Sequence, residues 1–135
     1  MPGFLLDTNH LSSAVKVGSP VRERLHWIRD RGAAVGTCAP ALCELEVGAR
    51  QVRDPATYRK ALSRFLSRLR IWPLDAETAL QYGEIYHHVQ RSGRVLSQVD
   101  MMLAALARQM GLILLSSDRD FEDLPGLSVE NWLDS

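Results

Sequence analysis

Two short, wholly apolar runs constrain the fold most: Phe4-Leu5-Leu6 near the amino end and Leu112 to Leu115 near the carboxyl end, each followed directly by polar and acidic residues. A strand with one wet face alternates apolar and polar positions, so uninterrupted apolar runs predict strands buried on both faces. Between them, helix signals recur. Ser19-Pro20 and Asp54-Pro55 each supply an N-cap followed by a first-turn proline, and Asp75 supplies another cap. Gly32, Ser92-Gly93 and Gly111 supply the stops.

The segments in between fit an alternation of strands and helices. Residues 4–6 form a strand that delivers Asp7-Thr8-Asn9 to a helix start, and Val21, Leu25 and Ile28 mark one face of the helix after Ser19. A strand is expected over 33–38 and a helix over about 40–51, with Leu42, Leu45 and Ala49 at helical spacing. The helix over 55–69 turns Tyr58, Leu62, Phe65, Leu66 and Leu69 inward and its arginines largely outward. Pro73 interrupts a short strand over 71–74 and pushes it to a sheet edge. Ala79, Tyr82, Tyr86 and Val89 give the next helix its inner stripe, with His87 and His88 toward solvent. A sixth helix begins near Ser97 with Val99, Met102, Leu103, Leu106 and Met110 on its stripe, then comes the strand over 112–115 and a last short one over 127–129. The expected class is α/β, with a central, mostly parallel sheet covered by helices on both faces. Polar residues past the strands' carboxyl ends then converge on one crevice.

A chain of 135 residues that is 46% hydrophobic holds one core without staples, and one domain over 1–135 is expected. The apolar runs are too short to span a bilayer and no leader pattern opens the sequence, so a soluble cytoplasmic protein with no membrane partner is expected. Cys38 and Cys43 match neither a zinc spacing nor a redox pair and are expected to be buried, reduced thiols. The 16 basic and 16 acidic residues cancel, which excludes a uniformly basic nucleic-acid binder. The charges are nevertheless segregated. Arg50 to Arg70 holds seven bases and one acid, Asp118 to Asp134 holds six acids and one base, and 14 of the 16 bases are arginine.

Asp7 follows the first strand, and Asp118 and Asp120 follow the strand over 112–115, so these acids emerge at one sheet edge. Glu44 and Asp100 lie near the starts of two helices. Carboxylates in one pocket repel and raise each other's pKa, and a divalent cation relieves that conflict. Magnesium suits such a set because it takes hard oxygen ligands, keeps several waters and is completed by substrate phosphate. Each acid also has a local reading. Asp7 caps a helix near Asn9, Asp100 completes a capping box with Ser97, and Asp118 and Asp120 form Asx-turns. Either Glu44 or Glu46 is the solvated member of its helix, with Glu44 flanked by Leu42 and Leu45.

The segments Leu5-Leu6-Asp7-Thr8-Asn9, Leu42-Cys43-Glu44-Leu45-Glu46-Val47-Gly48-Ala49, the run from Gln98 to Ala107, and Leu114-Leu115-Ser116-Ser117-Asp118-Arg119-Asp120-Phe121 resemble the motifs of PIN-domain ribonucleases, specifically VapC-type toxins of toxin–antitoxin pairs. The closing stretch from Leu124 to Trp132 resembles that family's end. The likeness implies a PIN-like three-layer α/β/α sandwich with its acidic crevice at the strands' carboxyl ends. By position it assigns the family's acids to Asp7, Glu44, Asp100 and Asp118, with Ser116 where the family often has threonine. It further implies magnesium or manganese, an RNA substrate, a homodimer and a cognate antitoxin. In that scheme Asp7 and Asp100 hold the principal ion, and Glu44 and Asp118 bind directly or through water. Asn9, Ser116 and Asp120 give polar support. Arg59, Arg64 and Arg68, on a basic helix beside the crevice, grip RNA phosphates.

Other classes fit less well. A receiver-type phospho-acceptor needs a lysine after a late strand, and the only lysines are Lys16 and Lys60. A haloacid-dehalogenase-type phosphatase wants an acid at position 9, where Asn9 stands. A non-catalytic module with the same fold is opposed only by the presence of every expected acid. The histidines show no Ser-His-Asp arrangement.

Overall fold

The apolar run Phe4–Leu6 (β1) is the middle strand of a five-stranded sheet in the computed structural model, which describes residues 2–133. In chain order α1 (Thr8–Val15) and α2 (Pro20–Arg29) follow it, then β2 (Val35–Thr37), α3 (Ala39–Ala49), α4 (Pro55–Leu66) and β3 (Arg70–Ile71). The second half comprises α5 (Ala76–Ser92), α6 (Gln98–Met110), β4 (Ile113–Leu115), a 3-10 turn at Arg119–Phe121, and β5 (Ser128–Glu130). The order across the sheet is β3-β2-β1-β4-β5 and every pairing is parallel. Right-handed crossovers then place α1 to α4 on one face and α5 with α6 on the other. This is the three-layer α/β/α arrangement expected from the alternation of elements.

The core sits on both faces of the two central strands, where Leu5, Leu6, Leu114 and Leu115 are fully buried. The outer strand β3 is exposed, as Pro73 foretold, and the Trp72 amide extends its ladder by donating to the Thr37 carbonyl. Gly36 is required in β2, because a Cβ there would strike the Arg70 carbonyl and the Trp72 ring. Among the described residues no helix is long and apolar enough to cross a membrane.

The structure departs from the expected elements at several points: β3 is Arg70–Ile71 rather than 71–74, and Met110, expected on the inner stripe of α6, is exposed. Helix α4 stops at Leu66 rather than Leu69, because Ser67 closes it: its hydroxyl donates to the Arg64 carbonyl, and Arg68 and Leu69 continue in a tighter turn. The buried stripe of α5 is Thr78, Ile85 and Val89, whereas Ala79 and Tyr86 are exposed. Thr78 tolerates burial because its hydroxyl bonds both Asp75 and Gln109. Of the two thiols, Cys38 is buried, which pushes its pKa up, but Cys43 is exposed on the outer side of α3.

Candidate active site

The carboxyl edge of the sheet is assembled from loops that leave β1, β2 and β4. Asp7 is the first residue beyond β1, and its amide donates to the Leu115 carbonyl of β4, so the two strand ends are tied together. Helix α6 must end at the amino edge to feed β4, so its first turn, with Asp100, lies at the carboxyl edge. Helix α3 starts from the end of β2 and brings Glu44 alongside α1. The result is a cleft of about 350 Å³ lined by Asp7, Thr8, Asn9, Glu44, Ser97 and Asp100. No lysine or arginine lines it.

Each acid is held differently. Asp7 is buried and caps α1, its Oδ1 accepting from the His10 amide at 2.8 Å and from His10 Nδ1 at 2.9 Å. No hydrogen bond among the described residues uses Oδ2, so capping occupies one oxygen and leaves the other for a ligand. The same ring's Nε2 accepts the Trp132 amide at 3.1 Å. An amide N–H can only donate, so Nε2 must offer its lone pair. That leaves Nδ1 as the ring nitrogen that donates to Asp7. Glu44 is exposed and lines the cleft, where the Thr8 hydroxyl donates to its Oε1 at 2.6 Å. Its neighbour Glu46 points elsewhere and forms a bidentate pair with Arg59 at 2.6 and 2.7 Å, which lowers the Glu46 pKa.

Asp100 is half-buried and its pKa is raised, first by burial and then by the charges of Asp118, Asp7 and Glu44. A side-chain hydrogen bond from Ser97 offsets part of this, and the same Ser97 oxygen caps α6 by accepting the Asp100 amide. The carboxylates feel one another, which is the unrelieved repulsion that a cation would relieve. Asp118 is exposed in a neighbouring groove with Ser116 and Glu130, and the Ser116 hydroxyl accepts its amide at 3.1 Å. Asp118 Oδ1 in turn accepts the Asp120 amide at 2.8 Å in an Asx-turn, and Asp120 lies 3.9 Å from Arg94. Asn9 is exposed on the cleft wall.

The three arginines take other places. Arg59 is engaged by Glu46, and Arg64 with Arg68 lines a separate cavity between α2 and α4. The expectation that these residues flank the acidic crevice is corrected accordingly: α4 runs toward the amino end of β3 and carries its last turn away from the carboxyl edge. Two residues that sequence reasoning passed over, Thr8 and His10, hold Glu44 and Asp7, while Ser97, expected as the cap beside Asp100, does hold that acid. The available signal was spacing, since His10 stands three positions from an acid at a helix start.

The donor set is all hard oxygen, as magnesium or manganese requires. Among the described residues no three acids, histidines or cysteines enclose a metal position unaided.

A sequence profile of the PIN domain matches residues 4–127. The chain belongs to the PIN domain family. A tRNA(fMet)-specific endonuclease VapC of Shigella flexneri is 32% identical over 131 residues, covering 96% of this chain and 97% of that protein. The DNA-bound VapBC of Salmonella typhimurium contains a chain that superposes with a TM-score of 0.83 at 29% identity, covering 98% of this PIN domain and 99% of that chain. VapBC2 of Rickettsia felis, bound to a promoter DNA fragment, shares the fold with a TM-score of 0.86 at 24% identity, over 96% and 98% of the two chains. This PIN domain is of the VapC type.

Proposed function

We propose that this PIN domain is a metal-dependent endoribonuclease that hydrolyses RNA phosphodiester bonds at the carboxylate cleft. In this reading it acts in the cytoplasm as the toxin of a toxin–antitoxin pair, inhibits translation and is neutralised by a cognate antitoxin. The observation that supports it best is the meeting of Asp7, Glu44 and Asp100 in one cleft, with Asp118 close enough to raise the Asp100 pKa. The name of the Shigella relative makes tRNA(fMet) the first RNA to test. A homodimer belongs to the same reading, supported by exposed Leu80 and Tyr86 on α5, and light scattering tests it.

Asp7 and Asp100 would hold the principal ion, with Glu44 and Asp118 binding directly or through water. When bound, magnesium or manganese supplies positive charge for the phosphoryl oxygens and lowers the pKa of attacking water. The protein's own part is positional. His10 fixes the Asp7 carboxylate so that Oδ2 remains available. Thr8 holds Glu44 against the cleft, where it can accept a hydrogen bond from water and orient it for in-line attack. Ser97 steadies Asp100 through a hydroxyl that donates to the carboxylate while accepting the amide. Ser116 shapes the loop that presents Asp118, and the Asn9 amide can donate to a phosphate oxygen. Burial of Asp7 and partial burial of Asp100 keep bulk water from screening the charge that holds the phosphate.

The experiment is to incubate a tRNA(fMet) transcript with wild-type protein and with Asp7→Asn in magnesium, and to map the product ends. Discrete cleavage by the wild type alone is expected. Equal cleavage by Asp7→Asn would assign the activity to another site or to a contaminant.

A further inference from the structure

The acidic cleft has a counterpart of opposite sign at the other edge of the sheet. The Ala33 amide donates to the Ile28 carbonyl, and the Phe4 amide donates to the Ala34 carbonyl, so the carboxyl end of α2 lies at the sheet's amino edge. The last turn of α4 lies there too, because after three intervening residues the chain enters β3 in parallel with β2. Between the two helices is a cavity of about 310 Å³ lined by Arg22, His26, Arg29, Arg64, Ser67 and Arg68, with Leu25 and Phe65 behind them. No carboxylate lines it.

Elsewhere in the chain Arg24, Arg59, Arg94 and Arg108 each form an ion pair, whereas Arg31, Arg50, Arg53, Arg70, Arg91 and Arg119 form none among the described residues. Arg22, Arg29, Arg64 and Arg68 form none among the described residues. The Nε of Arg29 is buried with no hydrogen-bond partner among the described residues. Burial lowers the Arg29 pKa, the Arg68 charge lowers it further, and Asp30 at the end of α2 offsets this only in part. Helix dipoles favour cations in a last turn, which accounts for Arg29 and Arg64. They do not account for Arg22, which lies in the first turn of α2 with one Nη1 donating to the Val15 carbonyl at 3.0 Å. Four guanidinium groups sharing a concavity repel one another, and a bound anion would relieve that conflict. Planar guanidinium forks match the tetrahedral oxygens of phosphate, and a nearby hydroxyl such as Ser67 can complete the shell.

We propose that this amino-edge cavity binds a phosphate group, and that the phosphate belongs to the RNA strand, at a point separate from the bond held over the carboxylates. The RNA part rests on the ribonuclease reading above; the phosphate part does not.

The test uses the full chain and the double substitution Arg29→Gln/Arg68→Gln in EDTA, so that no cleavage intervenes. Pyrophosphate is expected to raise the Tm of the wild type and leave that of the double variant unmoved. The variant removes like-charge repulsion, so its own Tm should be no lower than that of the wild type. For the tRNA(fMet) transcript, affinity is expected to fall about tenfold at low salt. The slope of log K against log salt should become shallower by about 0.7 if one phosphate contact is lost. A pyrophosphate shift lost in the variant with RNA affinity and slope unchanged would overturn RNA as the source and leave a free phosphate compound. Absence of the pyrophosphate shift in the wild type, with RNA binding equal in both proteins, would overturn the site altogether. Wild type that bound pyrophosphate through these arginines but bound no RNA would contradict the ribonuclease reading while upholding the phosphate site.

Discussion

His10 Nδ1 stands 2.9 Å from Asp7 Oδ1. The other side of the fully buried ring accepts the Trp132 amide, 122 residues away in sequence. Trp132 is itself anchored: its ring packs on Phe4 at 5.3 Å, the Arg24 guanidinium lies 4.2 Å above it, and its Nε1 donates to Glu130. The end of the chain thereby sets the orientation of a carboxylate at its beginning. Fixing a carboxylate through a second residue is a common way to tune an ion site.

His10→Ala is therefore expected to act on both stability and rate. Losing the ring leaves a cavity and removes the acceptor that the Trp132 amide uses, for a cost of about 2–4 kcal/mol in chemical denaturation. Among the molecules that stay folded, kcat for RNA cleavage should fall about 10–100-fold. His10→Gln, whose side chain both donates and accepts, should recover part of the rate. A purely structural His10 would instead lower stability and leave kcat per folded molecule unchanged.

Thr8 gives a cleaner separation of position from stability. Thr8→Val removes the hydroxyl that donates to Glu44 Oε1 at 2.6 Å while keeping the shape of the side chain. Stability should change by no more than about 1 kcal/mol, and kcat should drop about tenfold, with Thr8→Ser restoring it. An unchanged kcat in Thr8→Val would remove Glu44 orientation from the mechanism.

Asp100 predicts an unusual pH response in the metal-free protein. Its pKa is raised in the fold, so the folded state holds this proton more tightly than the unfolded chain does. The ionised form then disfavours folding. That cost is absent below the unfolded carboxyl pKa of about 3.9 and complete once pH exceeds the folded value. Asp100→Asn should consequently have a higher Tm than wild type at neutral pH in EDTA, with the gap closing as pH falls through the acid range. Adding magnesium should raise the Tm of wild type more than that of Asp100→Asn. A variant less stable than wild type at neutral pH without metal would contradict the repulsion described here.

Much of this was legible in the sequence, for physical reasons that also explain what was not. The runs at Leu5-Leu6 and Leu114-Leu115 stand out because strands buried on both faces need no alternation, and the polar residues after them mark one edge. Asp54 and Asp75 announced their helices because capping is local chemistry, and both cap as expected. The inner stripe of α5 was misjudged at Thr78, since a threonine is buried only when distant residues such as Gln109 satisfy it. The partner of Glu46 was hidden for the same reason, because Arg59 lies on another helix. The role of His10 depends on an amide near the other end of the chain, which no local pattern encodes. The placement of Arg64 and Arg68 was recoverable: a helix leading into a parallel strand must end at the amino edge.

Whether the carboxylate cleft cuts RNA with a divalent cation is decided by cleavage of a tRNA(fMet) transcript with and without chelator. No product is expected in excess EDTA, full recovery is expected when magnesium is added in excess of the chelator, and no recovery is expected for Asp7→Asn or Asp100→Asn proteins that remain folded. Undiminished cleavage by the wild type in excess EDTA would overturn metal-dependent cleavage at this cleft.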